Sequence, residues 1–302
     1  MRRHRAESGQ ATVLFALAAV ALLSVASLSL DAGRAYIKTQ ELKSAADAAA
    51  LAGGQELPAD PSSAKSVAIA TAERNGVPSA DVQVQVNAQD TVVTVTTRGG
   101  IPYYFASLFG IDQGTFQETS AVQVGPISRV TGAMPLGVIW NDFVYGQSYV
   151  LKDGGGEGSD GNYGGLALGG TGASTYQQNL EAGYPQPLTV GQTLETETGN
   201  IEGPTQQGLA ARVASGAGYS WDTVPLSSPA VVDLPIISPP SQGQSQVTIL
   251  GFAAFFVTGV DSSGDVTGVF LDAVTSGQFG SGGSYGLQAE RLIEPAFRKC
   301  VA

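Results

Sequence analysis

Cysteine and histidine are nearly missing from this 302-residue chain, which has one of each, Cys300 and His4. A lone cysteine near the C-terminus excludes a disulfide framework and a cysteine-built zinc site. A lone histidine at position 4 leaves no imidazole elsewhere for a Ser-His-Asp or Cys-His nucleophile, nor for a His-rich metal centre. Basic charge is also scarce. Beyond Leu30, 12 Lys/Arg face 25 Asp/Glu, a formal charge of −13. Nucleic acid and anionic lipid surfaces both call for basic patches, so neither is an expected partner of that region. Catalysis by carboxylates alone remains open in principle, but no spacing singles out a pair, and no small-molecule substrate is evident.

The chain does have one long apolar run. Ala11–Leu30 is 20 residues without a charge. At a rise of about 1.5 Å per residue it would reach roughly 30 Å, the thickness of a bilayer's hydrocarbon core. The run is longer than the core of a secretory signal, and the triplet Ala26-Ser27-Leu28 lacks the second small residue of a cleavage site. A retained anchor is therefore expected. Arg2, Arg3 and Arg5 precede the span, and the positive-inside rule keeps such a cluster cytoplasmic. Residues 1–10 are then a basic cytoplasmic tail, and the C-terminal bulk lies outside the cytoplasm.

The helix pattern continues past the span. Asp31/Arg34, Lys38/Glu41 and Lys43/Asp47 are spaced to pair along one flank. Ala35, Thr39, Leu42, Ala46, Ala49 and Gly53 form a second stripe of small and apolar residues suited to close packing. "PADPSSAK" reads as a turn and a Pro/Ser helix start, and the helix it opens stops at Asn75-Gly76. "DVQVQVNAQDTVVTVTTRGG" alternates around a polar turn, as a hairpin does. "IPYYFASLFGI" reads as a short amphipathic helix, with Tyr103, Tyr104, Phe105, Leu108 and Phe109 expected in the core. A strand, "FQETSAVQVG", follows.

The order Gly9-Gln10, apolar span, Asp31-Ala-Gly33-Arg34, then Ala45-Ala-Asp47 through Gly53 resembles the start of the TadE/TadG-like proteins of the bacterial Flp (tight adherence) pilus-assembly system. Tyr103 through Ile111 is similar to a segment recurring in that family. The resemblance covers about residues 6–125. It implies a single-pass protein of the bacterial cytoplasmic (inner) membrane, with pilus-assembly proteins or pilins as partners and no catalytic residues. A processed minor pilin is the alternative. In a type IV prepilin the fifth residue after the cleaved glycine is glutamate, whereas here it is Leu14, with Glu7 ahead of Gly9. An uncut anchor is expected on that ground.

Beyond residue 128 the composition turns to Gly, Ser, Pro and Thr around short apolar runs. "VIWNDFVYGQSYVLK", "AVVDLPIIS", "QVTILGFAAFFVTGV" and "VTGVFLDAVTS" read as strands, "PTQQGLAARVASG" as a helix, and "AERLIEPAFRKC" as a helix ending before Pro295. Asp153, Glu157 and Asp160 lie in "DGGGEGSDGNY", which partly matches a calcium-binding nonapeptide but stands alone and has Asn162 at its apolar position. A solvated acidic loop is favoured, with calcium as the one cofactor to consider. "DSSGD" at 261–265 reads as a hairpin turn rather than a metal site. The glycine-rich run 164–174 lacks the strand-to-helix setting and the Lys-Ser/Thr of a phosphate loop. The expected fold class is α+β: a transmembrane helix at 11–30, a helix plus small α/β module over 31–127, and a β-rich extracytoplasmic domain over 128–302. An adhesion or binding role for the last of these is a further alternative.

Overall fold

The computed structural model describes residues 7–153, 162–197, 201–239, 246–280 and 283–293. Its first element, α1 (Glu7–Gly54), is one helix of 48 residues, about 72 Å long at the standard rise. Then come α2 (Pro61–Arg74), a 3-10 turn at Ser79–Asp81, β1 (Val82–Val86), β2 (Val92–Pro102), a second 3-10 turn at Ala106–Phe109 and β3 (Gln113–Pro126). The rest of the chain contributes β4 (Arg129–Val130), β5 (Leu136–Ile139), β6 (Ser148–Asp153), β7 (Asn162–Gly165), α3 (Ala173–Ala182), β8 (Leu188–Thr189) and β9 (Thr193–Glu195). It ends with α4 (Glu202–Gly216), β10 (Val231–Ile237), β11 (Gln246–Val260), β12 (Val266–Leu271), β13 (Ala273–Ser276) and β14 (Leu287–Ile293). The α+β class holds.

The second half of α1 is buried where its stripe of small residues predicts. Leu42, Ala46, Ala49 and Gly53 are buried, while Ala35 and Thr39 are half-buried. Leu42, Ala45, Ala49 and Ala50 share a core with Ala64, Ala68 and Ala72 of α2 and with Val93, Val95, Val122 and Val124 of the sheet. Alanines and a glycine facing alanines let the two helix backbones approach closely. A Cβ at Gly53 would lie 2.9 Å from the Ala64 carbonyl oxygen. The cap of α2 is Asp60, not a serine: its Oδ1 accepts the Ser62 and Ser63 N–H groups at 3.0 and 2.9 Å, with Pro61 as the first helical residue.

The sheet under α1 has the order β1-β2-β3-β14-β13. Its first three strands are the predicted hairpin and its successor. Its last two come from the far end of the chain, β14 lying antiparallel to β3 from Gln288↔Pro126 to Ile293↔Ala121. The expected helix at "AERLIEP" is thus a strand as far as Ile293. Its Leu287, Gln288 and Ala289 are buried, and pairing with a fourteen-residue neighbour overrides local helix propensity.

A second sheet runs β10-β5-β7-β6-β12-β11-β9, and an added β10–β11 pairing closes six of these strands into a ring. Val138, Leu151, Leu234, Phe255 and Phe270 pack together in one of its cores. The predicted strand "VIWNDFVYGQSYVLK" is broken at 140–147. There Trp140 and Phe143 leave the ladder and join an aromatic group, with Phe143 stacked on Phe270 at 4.4 Å and Trp140 edge-on to Phe143 at 5.2 Å.

Candidate functional site: the bare helix and its clasp

Two features of α1 stand out. The first is the surface of its N-terminal half. Val13, Leu14, Phe15, Leu17, Val20, Leu22, Leu23 and Val25 are all 60–76 % exposed. No residue of the helix's apolar window is buried by the rest of the protein. A helix that is apolar on every side and covered on none is long and apolar enough to cross a membrane. Ser24, Ser27 and Ser29 return their hydroxyls to the carbonyls of Val20, Leu23 and Val25 at 2.6–2.9 Å, so these three hydroxyls are satisfied within the helix.

The second feature begins where the apolar run ends. Asp31 is only 3 % exposed. Its Oδ1 accepts the Tyr104 N–H at 3.0 Å, and its Oδ2 accepts those of Phe105 and Ala106 at 2.8 and 2.9 Å. Arg34, one helical turn on, donates from Nη1 to the Pro102 carbonyl at 2.8 Å, and its guanidinium lies 4.1 Å over the Tyr104 ring. The expected Asp31/Arg34 pair is therefore not a simple flank ion pair. Both side chains turn to the 102–106 backbone, which offers unpaired N–H groups at the start of a 3-10 turn. Burial pushes the Asp31 carboxyl up, but the three N–H bonds and the nearby Arg34 outweigh it and hold the group below its ordinary value. The other two flank pairs form as expected, Lys38–Glu41 at 3.5 Å and Lys43–Asp47 at 3.7 Å.

The remaining family positions divide. Gly53 is a packing requirement, whereas a Cβ at Gly33 would meet nothing within 4 Å. Gly9 and Gln10 lie in the first turns of α1. Arg2, Arg3 and Arg5 lie outside the described residues. The clasped turn corrects a further expectation. The segment 101–111 is not an amphipathic helix: it holds the end of β2 and then one 3-10 turn, Ala106–Phe109, closed by Gly110 in the left-handed region at φ 82°. Tyr103 and Phe105 are half-buried, but Tyr104, Leu108 and Phe109 are 61, 79 and 73 % exposed and form no core.

Other carboxylates stand apart from the clasp. Burial raises Asp233 to about 6. It also raises Asp272, which Gln288 partly counters, and Glu290, which Gln55 partly counters. Among the described residues, no three His, Cys, Asp or Glu side chains gather as a metal-holding group. Of the calcium triplet, Asp153 closes β6, its backbone paired with Tyr163, while Glu157 and Asp160 lie outside the described residues. Asp261 is a turn former: its Oδ1 accepts the Ser263 and Asp265 N–H groups at 2.8 and 3.0 Å. The glycine-rich run does sit between a strand and a helix, β7 and α3, contrary to expectation. Its helix start, however, already receives a carboxylate, Glu197 Oε1 accepting the Gly172 N–H at 2.6 Å.

The clasp was missed in the sequence although both halves were in view. An acidic residue directly after an apolar span, and a charge-free turn some seventy residues later, are the signals that point to it.

Residues 9–56 match the model of the family described as putative Flp pilus-assembly TadE/G-like, a minority of the chain that contains the bare span, Asp31, Arg34 and the packed stripe through Gly53. No curated protein and no solved structure matches the chain. By this match, the N-terminal helical segment, and not the chain as a whole, is similar to the putative Flp pilus-assembly TadE/G-like family.

Proposed function

We propose that the protein is a non-enzymatic, single-pass component of a bacterial Flp/Tad pilus-assembly or secretion system. Residues 11–30 hold it in the cytoplasmic membrane with Arg2, Arg3 and Arg5 inside. The module over 31–127 stands directly on the outer surface, and the acidic β-rich region over 128–302 meets pilins or assembly proteins. The observation that carries this reading is that the TadE/G-like segment contains a 20-residue apolar run bare on every side. The reading calls for no cofactor and no substrate. Its partner surface is the acidic exterior, suited to neutral or basic protein faces.

Protease treatment of intact spheroplasts tests the orientation. The C-terminal region is expected to be digested while an N-terminal tag survives, and survival of the C-terminal region would overturn the topology. Copurification from native membranes with pilus-assembly components tests the role. Amino-terminal sequencing of the same material should begin at or near Met1; a start at Gln10 would make the protein a processed minor pilin.

A further inference from the structure

Strand β2 descends along α1 toward the apolar span. Thr97 donates its hydroxyl to the Leu42 carbonyl at 2.9 Å. A Cβ at Gly99 would lie 3.0 Å from Lys38 Cε. Pro102 meets Arg34, and Tyr104 to Ala106 meet Asp31. Each step forward in β2 is thus a step back along the helix. β3 then carries the chain away again, antiparallel, from Gln113. The turn between them is the end of the module nearest the span, tied by three hydrogen bonds to the residue that follows Leu30.

That turn is apolar and uncovered. No charged residue occurs between Arg98 and Asp112. Leu108, Phe109, Tyr104 and Ile111 are 79, 73, 61 and 56 % exposed. Four large apolar side chains presented by eight residues make a patch that needs a cover. Its position names the cover, because whatever solvates the end of the span also meets a turn fixed to that end. We propose that residues 104–111 seat in the interface of the bilayer that α1 crosses, with Leu108 and Phe109 entering the acyl boundary and Tyr104 lying among the headgroups, where tyrosines concentrate. The inference rests on the reading that Ala11–Leu30 spans the bilayer. It gives the protein two footings, a span and a shallow hook. Together they fix the rotation of α1 and the attitude of everything beyond it. Insertion is by apolar burial, so the occupant is lipid of any charge, in keeping with an acidic exterior.

The test uses the full chain with Cys300→Ser, carrying an environment-sensitive fluorophore on a single introduced cysteine, in neutral phosphatidylcholine vesicles containing lipids spin-labelled at shallow or deep positions. Three sites are compared: Phe109→Cys in the hook, Val20→Cys in the span, and Ser66→Cys on the exposed face of α2. The expected result is blue-shifted emission at 109 quenched most by shallow labels, quenching at 20 by deep labels, and none at 66. If 20 is quenched while 109 behaves like 66, the hook is overturned and the span stands. Blue-shifted emission at 109 without quenching would mean that protein covers the turn, which also overturns the hook. Absence of quenching at 20 would overturn the span reading, and the hook with it.

Discussion

Asp31 Oδ2 accepts the backbone N–H of Phe105 at 2.8 Å, joining residues 74 positions apart at the point where the apolar span meets the folded module. A carboxylate is the fitting group there, because two acceptor oxygens serve three convergent N–H donors. The Asp31→Asn variant turns one of those oxygens into a donor and sets N–H against N–H. Amide exchange at Tyr104–Ala106 is expected to quicken by about tenfold or more, while Val95 and Val122 stay protected. Hydrogen exchange with site resolution decides it; unchanged rates at 104–106 would remove Asp31 from the clasp.

The same group sets an acid limit. Because its folded pKa lies below the ordinary 3.8, the unfolded form takes up a proton first as pH falls. The stability contributed by the clasp is therefore complete above 3.8 and is lost only as pH drops further, through the lowered folded value. Exchange at Tyr104–Ala106, corrected for intrinsic rates, should show protection that is flat from neutral pH down to that value. Loss of protection in the mildly acidic range would contradict the assignment.

Gly33 and Gly53, two glycines of one family segment, are expected to respond oppositely to a side chain. Gly53→Val drives a branched side chain into the Ala64 carbonyl, 2.9 Å from the Cβ position, and Ala68, 3.2 Å from it. Overpacking of this kind costs about 1–3 kcal/mol, or about 2–4 °C in Tm per kcal/mol for a chain of this size. Gly33→Ala meets open space and should be neutral or stabilising by up to about 1 kcal/mol through helix propensity. Melting of both variants in detergent checks the pair.

How far these features can be read in the sequence depends on whether their cause is local. The span, the stripe through Gly53 and the β1–β2 hairpin follow from uninterrupted apolarity, a helical period and strict alternation, all written within a few turns of chain. The clasp joins Asp31 to Phe105, and the sheet joins β3 to β14. The parts of each can be seen separately, but no local pattern pairs them, and both overrode what the local pattern said. Leu108 and Phe109 look like core by composition. They are exposed because Asp31 ties down the turn's backbone and leaves its side chains facing outward. The strand at Leu287–Ile293 has helix-compatible residues, and only its pairing with β3 on one side and β13 on the other makes it a strand.

Asp233, on β10 within the closed ring, shows the opposite sign to Asp31. Burial raises its pKa to about 6, so the folded chain holds a proton that the unfolded chain releases. Between the ordinary 3.8 and about 6, stability therefore falls as pH rises, and it stays reduced above that window. Asp233→Asn keeps the shape and removes the charge. The variant should be more stable than the parent at pH 7–8 by on the order of 1–3 kcal/mol and equal to it near pH 3. Thermal unfolding of the two proteins across that range measures the crossing; a constant difference at all pH values would mean that the carboxylate is not the cause.

Leu22→Arg separates a membrane span from a helix that is merely exposed. Leu22 is 72 % exposed, near the middle of the apolar run. On the surface of a protein in water, exchanging an exposed leucine for arginine leaves stability nearly unchanged and improves solubility. At the centre of a bilayer the same change costs about 2.5–3.5 kcal/mol of insertion free energy. The variant is therefore expected to shift from the carbonate-resistant membrane fraction toward the soluble or degraded fractions. Thr39→Arg, placed on the half-buried stripe beyond the span, should stay in the membrane and fail by misfolding instead, because its cost falls on the packing of α1 against the module. Equal membrane retention of Leu22→Arg and the parent chain would mean that the apolar run is covered by protein rather than lipid.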